Sequence, residues 1–168
     1  MLMYHPAFDA NHCLYRIVSI LHATEGVPIS WSLLRMLDFY YLFPSQLKNI
    51  KPWPREIQKL KAQAMKIPDQ FEDLTNPART FFELQPFQKT AMLELIAKGV
   101  LSKPSFDKGI MELEPDSLPS AYTALLDTDD FLKSDVFKVI TKGLPSAEFN
   151  GSSGLKSRSG LMEYVYDI

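Results

Sequence analysis

Residues 10–26 carry apolar side chains at the spacing of one helix face. The stripe consists of Leu14, Ile17, Val18 and Leu21. Separations of three, one and three positions fit a 3.6-residue repeat, which predicts an amphipathic α-helix. Asp9 is a favoured N-cap residue, so we expect the helix to begin near Ala10. Gly26 follows as a stop signal.

The next segment, residues 29–43, is apolar on every face. Ser30 is a suitable N-cap residue, and Pro44 ends the pattern. A helix of this kind is normally buried on most sides, and a small chain has difficulty supplying that burial alone. We therefore expect a partner protein to cover part of it, with Phe39 and Tyr40 as candidate contacts.

Two helices are predicted in the middle of the chain. Residues 55–67 follow the breaker Pro52-Trp53-Pro54 and are rich in good helix formers. Residues 80–98 form the second helix, with a break at Pro86.

Short apolar runs at residues 100–101 and 110–113 flank a Lys-Gly turn, which is typical of a β-hairpin. A helix followed by such a hairpin resembles the end of a winged-helix domain. This element is either a DNA reader, with Gln88, Lys89 and Lys98 near the groove, or a protein-contact module. The near-neutral charge of the chain favours protein contact.

The fold class predicted is mainly α: a compact helical domain with winged-helix-like features, including a small β-hairpin wing, and a short C-terminal tail. Residues 1–115 form the helical, winged-helix-like core, and residues 116–149 add short helices at 118–126 and 130–142. Residues 150–160 are a flexible linker by their Gly/Ser composition. The apolar segment 161–168 either adds a strand to a partner or packs back on its own domain.

Composition changes this picture little but limits the function. The chain has 168 residues, 46% of them hydrophobic, with a net charge of −2. A protein that mainly binds free nucleic acid is usually basic, so any contact with DNA requires a local patch. One cysteine, no signal-peptide pattern and no membrane-length apolar run lead us to expect a cytoplasmic protein without membrane contact.

Candidate chemistry is sparse. The sequence contains no P-loop, no dinucleotide-binding glycine motif and no nucleophile elbow, so we predict no cofactor. His5, His12 and His22 lie near Cys13, but a metal site needs three or four converging ligands. Adjacent His12 and Cys13 point about 100° apart on a helix, which argues against a catalytic pair. We predict no catalytic and no metal-binding residues.

The most basic region is residues 48–66. Its candidate DNA contacts are Lys48, Lys51, Arg55, Lys59 and Lys66. Lysines interleaved with Trp53 suit phosphate binding, and a solvated helix face explains the same pattern.

The N-terminal pattern Tyr4-His5-Pro6-Ala7-Phe8-Asp9-x-x-His12-Cys13-x-x-Arg16 resembles the start of the middle components of ABC-three-component systems, of which the Lamassu anti-phage systems are examples. The resemblance extends loosely over the first 115 residues. Physically, Tyr4, Pro6 and Phe8 suit an extended arm in an apolar groove. His12 and Arg16 share a helix face and suit a carboxylate on a partner or on this chain.

The resemblance implies a non-enzymatic adaptor that bridges an ATPase of the SMC or Rad50 type and an effector, expected to be a nuclease, with DNA as a further component of the complex. Its candidate partner-binding residues are Tyr4, His5, Pro6, Phe8, His12, Arg16, Phe39, Tyr40, Tyr164 and Tyr166. The alternatives are a stand-alone winged-helix transcription regulator and an enzyme with an unfamiliar metal site.

Overall fold

The computed structural model describes residues 5–70 and 74–163, and helices dominate this part of the chain. The α-helices are α1 (Ala10–Ala23), α2 (Trp31–Leu42), α3 (Lys61–Met65), α4 (Pro77–Glu83), α5 (Gln85–Ala97), α6 (Lys103–Asp107), α7 (Ser120–Asp127), α8 (Asp135–Lys138) and α9 (Leu155–Ser159). Short 3-10 helices lie at Pro6–Phe8, Pro44–Asn49, Arg55–Leu60, Phe131–Lys133, Leu144–Ser146 and Leu161–Glu163. The prediction of a mainly helical fold is confirmed.

The first two helices begin where their capping residues predict. The Asp9 carboxylate accepts hydrogen bonds from the backbone N–H groups of Asn11 and His12, at 2.8 and 3.2 Å. The Ser30 hydroxyl accepts one from Leu33 N–H at 3.1 Å. Each cap satisfies backbone donors that the first helical turn leaves unpaired.

Helix α2 is the centre of the core. It packs against α1, α4, the strand at Ile110–Met111 and a π-helical turn at Val139–Gly143 that continues α8. Phe39 and Tyr40 are 0% and 1% exposed. The expectation that a partner covers Phe39 and Tyr40 is therefore wrong, because the chain itself buries them: Phe39, for example, packs against Phe43 and Phe81.

The region predicted as one helix over residues 55–67 is divided. A 3-10 helix, Arg55–Leu60, precedes α3, and Ile57 has non-helical dihedral angles of φ −118° and ψ 28°. The indole Nε1–H of Trp53 donates to Ile57 O at 2.9 Å. That carbonyl therefore has a partner other than the helical N–H four residues later. Residues 80–98 also break, at Leu84 between α4 and α5, which confirms the expected interruption near Pro86.

The predicted hairpin is only partly formed. Leu101 and Leu113 make one antiparallel bridge, but α6 occupies the connection between them. The two-residue strand β2 (Ile110–Met111) pairs instead with β1 (Ile29–Ser30), with Ile29 opposite Met111. This small sheet ties the start of α2 to the segment after α5, and the winged-helix assignment stays a prediction.

The prediction of a flexible linker at residues 150–160 is wrong. This segment contains α9, and Leu155 is fully buried. A Cβ on Gly154 would lie 2.3 Å from the carbonyl oxygens of Phe149 and Asn150. Glycine is thus needed here for close backbone approach rather than for flexibility. The rest of the division into domains stays a prediction.

The C-terminal apolar segment starts by packing back on its own domain. Leu161 is buried, and the 3-10 helix Leu161–Glu163 contacts α4. Residues 164–168 lie outside the described part of the chain. Within residues 5–70 and 74–163, no helix has the length and apolar character needed to cross a membrane.

Candidate functional site

The N-terminal motif forms a short arm that folds onto α1 and α5. His5 Nδ1 accepts a hydrogen bond from Ala7 N–H at 3.1 Å, and the imidazole stacks on Phe43 at a centroid distance of 6.1 Å. Ala7 is completely buried. The arm is therefore fixed by its own capping side chain and by two apolar contacts.

Arg16 joins the arm to the core through a buried ion pair. Its Nε–H donates to Asp38 Oδ1 at 2.6 Å and its Nη2–H to Asp38 Oδ2 at 3.3 Å. A longer contact of 3.4 Å runs from Nη1–H to the carbonyl oxygen of Pro6. The side chains are 3% and 0% exposed. The sequence predicts that Arg16 binds a carboxylate either on a partner or on this chain. In the structure that carboxylate is Asp38 of the same chain.

The polar network continues from Asp38 across the helices. Gln88 Nε2–H donates to Asp38 Oδ2 at 2.9 Å, and Gln88 Oε1 accepts from Arg35 Nε–H at 3.1 Å. Arg35 then donates to Phe81 O at 3.3 Å, and its guanidinium carbon lies 4.4 Å from the centre of the Phe81 ring. The network links the arm, α1, α2, α5 and α4 in one hydrogen-bonded path.

The environment of this network stabilises the charge of Arg16 and makes the Cys13 thiol unreactive. Burial opposes the charge of Arg16, but the charge of Asp38 and its hydrogen bond raise the pKa of Arg16 above its ordinary value. Burial first, and then the charge of Asp38, raises the pKa of the Cys13 thiol far above its ordinary value. The thiol lies 4.0 Å from Asp38 Oδ2 and stays protonated, so it is a poor nucleophile.

Some of the predicted partner contacts are in reach of solvent and others are not. His5, Pro6, Phe8 and His12 are exposed. Phe8 is 42% exposed and packs edge-on against Phe87 at 5.6 Å. Arg16, Phe39 and Tyr40 are buried within the chain, and those assignments are corrected. Tyr4, Tyr164 and Tyr166 lie outside the described residues.

Four of the five predicted DNA contacts are exposed, whereas the fifth, Lys48, bonds to other groups of the chain. Lys51, Arg55, Lys59 and Lys66 are exposed. Lys48 instead donates to Ile67 O at 2.8 Å and pairs with Asp69. Trp53 is buried, so it offers no ring face for stacking with a base.

Sequence reasoning missed the network residues Asp38, Gln88 and Arg35. The sequence places Gln88 near a DNA groove, but in the structure it is buried and donates a hydrogen bond to Asp38. The available signal was Asp38 itself, because an acidic residue in an otherwise apolar helix requires a buried partner. Arg16 is the natural candidate for this partner, because it lies on the amphipathic helix predicted immediately before the helix of Asp38.

The structure also contains a cleft with acidic lining residues. A cleft of about 480 Å³ lies between the α1–β1 connection and residues 111–118, with Glu25, Glu112 and Glu114 among its lining residues. Over residues 5–70 and 74–163, no group of three or more His, Cys, Asp or Glu side chains is placed to hold a metal ion.

Comparison with known proteins identifies a family. A family model, ABC-three component (ABC-3C) system Middle Component 5, matches residues 2–167. No curated protein and no solved structure matches the chain. The resemblance noted in the N-terminal pattern is confirmed and extends beyond the first 115 residues, so the chain belongs to the Middle Component 5 family of ABC-three component systems.

Proposed function

We propose that this protein is a non-enzymatic adaptor that bridges an SMC- or Rad50-like ATPase and an effector nuclease in a cytoplasmic anti-phage complex. Membership of a middle-component family supports a role inside a multi-subunit system. The observation that carries the adaptor role is the use of the motif residues. Arg16, Cys13 and His5 are engaged in internal contacts, so the motif builds a shape rather than a reactive centre.

The surface proposed for a partner is the aromatic patch, which we define as His5, Phe8 and Phe87. Phe8 ends the 3-10 helix of the arm and remains 42% exposed beside Phe87. Rigid aromatic side chains contribute strongly to protein interfaces because they bury large areas at little entropic cost. The Arg16–Asp38 pair fixes the arm and thereby limits the loss of conformational entropy on binding.

Co-expression with the neighbouring genes tests the role. We expect a complex that contains this chain, an ATPase with a long coiled coil and an effector subunit, measured by affinity purification and native mass determination. A chain that elutes alone, while the other subunits assemble without it, would contradict the adaptor role.

A winged-helix regulator is the second candidate. The bridge between Leu101 and Leu113, after α5, favours it. The chemistry of α5 favours it less, because Gln88 is buried and Lys98 pairs with Glu94 at 3.0 Å. This candidate requires that the isolated chain form a symmetric dimer on one defined duplex. Native mass determination of the chain purified alone, with and without that duplex, would reveal such a dimer.

A further inference from the structure

The segment 55–67 keeps one face on the core and turns its charges outward. Ile57, Leu60, Ala64 and Ile67 recur at separations of three, four and three, and all are buried or half-buried. The solvent side of the segment carries Arg55, Lys59, Lys61 and Lys66. The kink at Ile57 does not disturb this division, because both helical pieces use apolar positions to face the core.

A distant part of the chain adds to the same surface. The backbone N–H of Lys51 donates to Arg158 O at 3.2 Å, and Arg158 Nη1–H donates to Pro52 O at 2.7 Å. The guanidinium of α9 therefore lies against the start of the basic segment. We call Lys51, Arg55, Lys59, Lys61, Lys66 and Arg158 the basic surface.

Little acidic charge balances the basic surface. Residues 48–67 contain six basic side chains and one acidic one, although the whole chain has a net charge of −2. Lys48, which lies outside the set defined above, pairs with Asp69 beyond the end of this segment. The charge is thus concentrated on one segment while the rest of the chain is net acidic.

We propose that the basic surface binds the sugar–phosphate backbone of duplex DNA without reading its sequence. Lysine, which dominates the surface, is depleted at protein interfaces but suits phosphate contact. Met65 is its one large exposed apolar side chain among the described residues, so an apolar interface centre is lacking. Burial of Trp53 removes the stacking platform that single-stranded DNA requires.

The dimensions of the surface fit several phosphates. Six residues of 3-10 helix and five of α-helix follow each other from Arg55 to Met65. At about 2.0 and 1.5 Å per residue, this path is about 20 Å long. Phosphates of one B-DNA strand advance about 3.4 Å each along the helix axis, so a path of this length spans about six of them, and the logarithm of affinity should fall with a slope of about −5 against the logarithm of salt concentration.

The test measures binding of a labelled duplex of about 30 base pairs to the full chain by fluorescence anisotropy, between about 50 and 200 mM salt. The variant Lys59→Glu/Lys66→Glu should bind at least about tenfold more weakly and show a shallower salt slope. The control Lys103→Glu/Lys108→Glu makes the same change in net charge at exposed positions outside the basic surface. Circular dichroism melting checks that both variants fold.

Equal weakening in both variants would overturn the proposal, because it would reflect only the net charge. Absence of binding by the unaltered chain at low salt would also overturn it. Preference for polyglutamate over the duplex would assign the basic surface to an acidic protein instead. The inference goes beyond the adaptor role: DNA binding is measured on the isolated chain, whereas the adaptor role is measured by co-purification, so either can fail alone.

Discussion

Asp38 places a carboxylate in the middle of an apolar helix, and three side chains satisfy it. Arg16 supplies two N–H donors, Gln88 supplies a third, and the Cys13 thiol completes the set. No buried side-chain N or O atom in the described residues lacks a partner. Removing one member of such a network leaves the others charged or polar without compensation, so the network is costly to disrupt at a single point.

Replacement of Asp38 tests this at the residue scale. We expect Asp38→Asn to lower the free energy of unfolding by about 3–5 kcal/mol, because Arg16 is left buried without its counter-charge. Urea denaturation measures the change. The matched control is Asp107→Asn, which breaks the solvent-exposed Lys103–Asp107 pair and should change stability by less than about 1 kcal/mol. Similar effects of the two substitutions would contradict a structural role for the network.

At the scale of elements, the sequence predicts features that depend on neighbouring residues but not features that depend on distant contacts. The caps at Asp9 and Ser30 depend on neighbouring residues, so the sequence predicts where α1 and α2 begin. The break at Ile57 depends on a hydrogen bond from the buried Trp53 indole, which helix propensity cannot reveal. The linker prediction failed because Gly/Ser composition indicates flexibility only when no nearby residue is buried, and Leu155 is.

Replacement of Leu155 tests whether the segment 150–160 is packed on the core. We expect Leu155→Ala to lower the free energy of unfolding by about 2–5 kcal/mol, the usual effect of removing a buried leucine side chain. Ser152→Ala, at an exposed position of the same segment, is the control and should have little effect. If the segment were a flexible linker, both substitutions would leave the urea midpoint unchanged.

At the scale of the whole molecule, the fold buries Cys13 and Arg16 of the motif and leaves two surfaces exposed. Sequence reasoning recognised the family and the mainly helical class, and it included Phe8 among the partner contacts. It assigned Phe39 and Tyr40 to a partner because their burial depends on long-range contacts, such as that of Phe39 with Phe81. The aromatic patch and the basic surface remain exposed, which suits one protein contact and one DNA contact in the proposed complex.

We propose that the motif holds the arm in place so that its exposed residue, Phe8, contacts a partner. Phe8→Asp and the control Leu125→Asp introduce the same charge at side chains that are 42% and 54% exposed. Each variant is co-expressed with the neighbouring subunits, and its share of the purified complex is measured by mass spectrometry. We predict that Phe8→Asp remains folded but is lost from the complex, while Leu125→Asp is retained; equal retention of both variants would contradict a partner contact at Phe8.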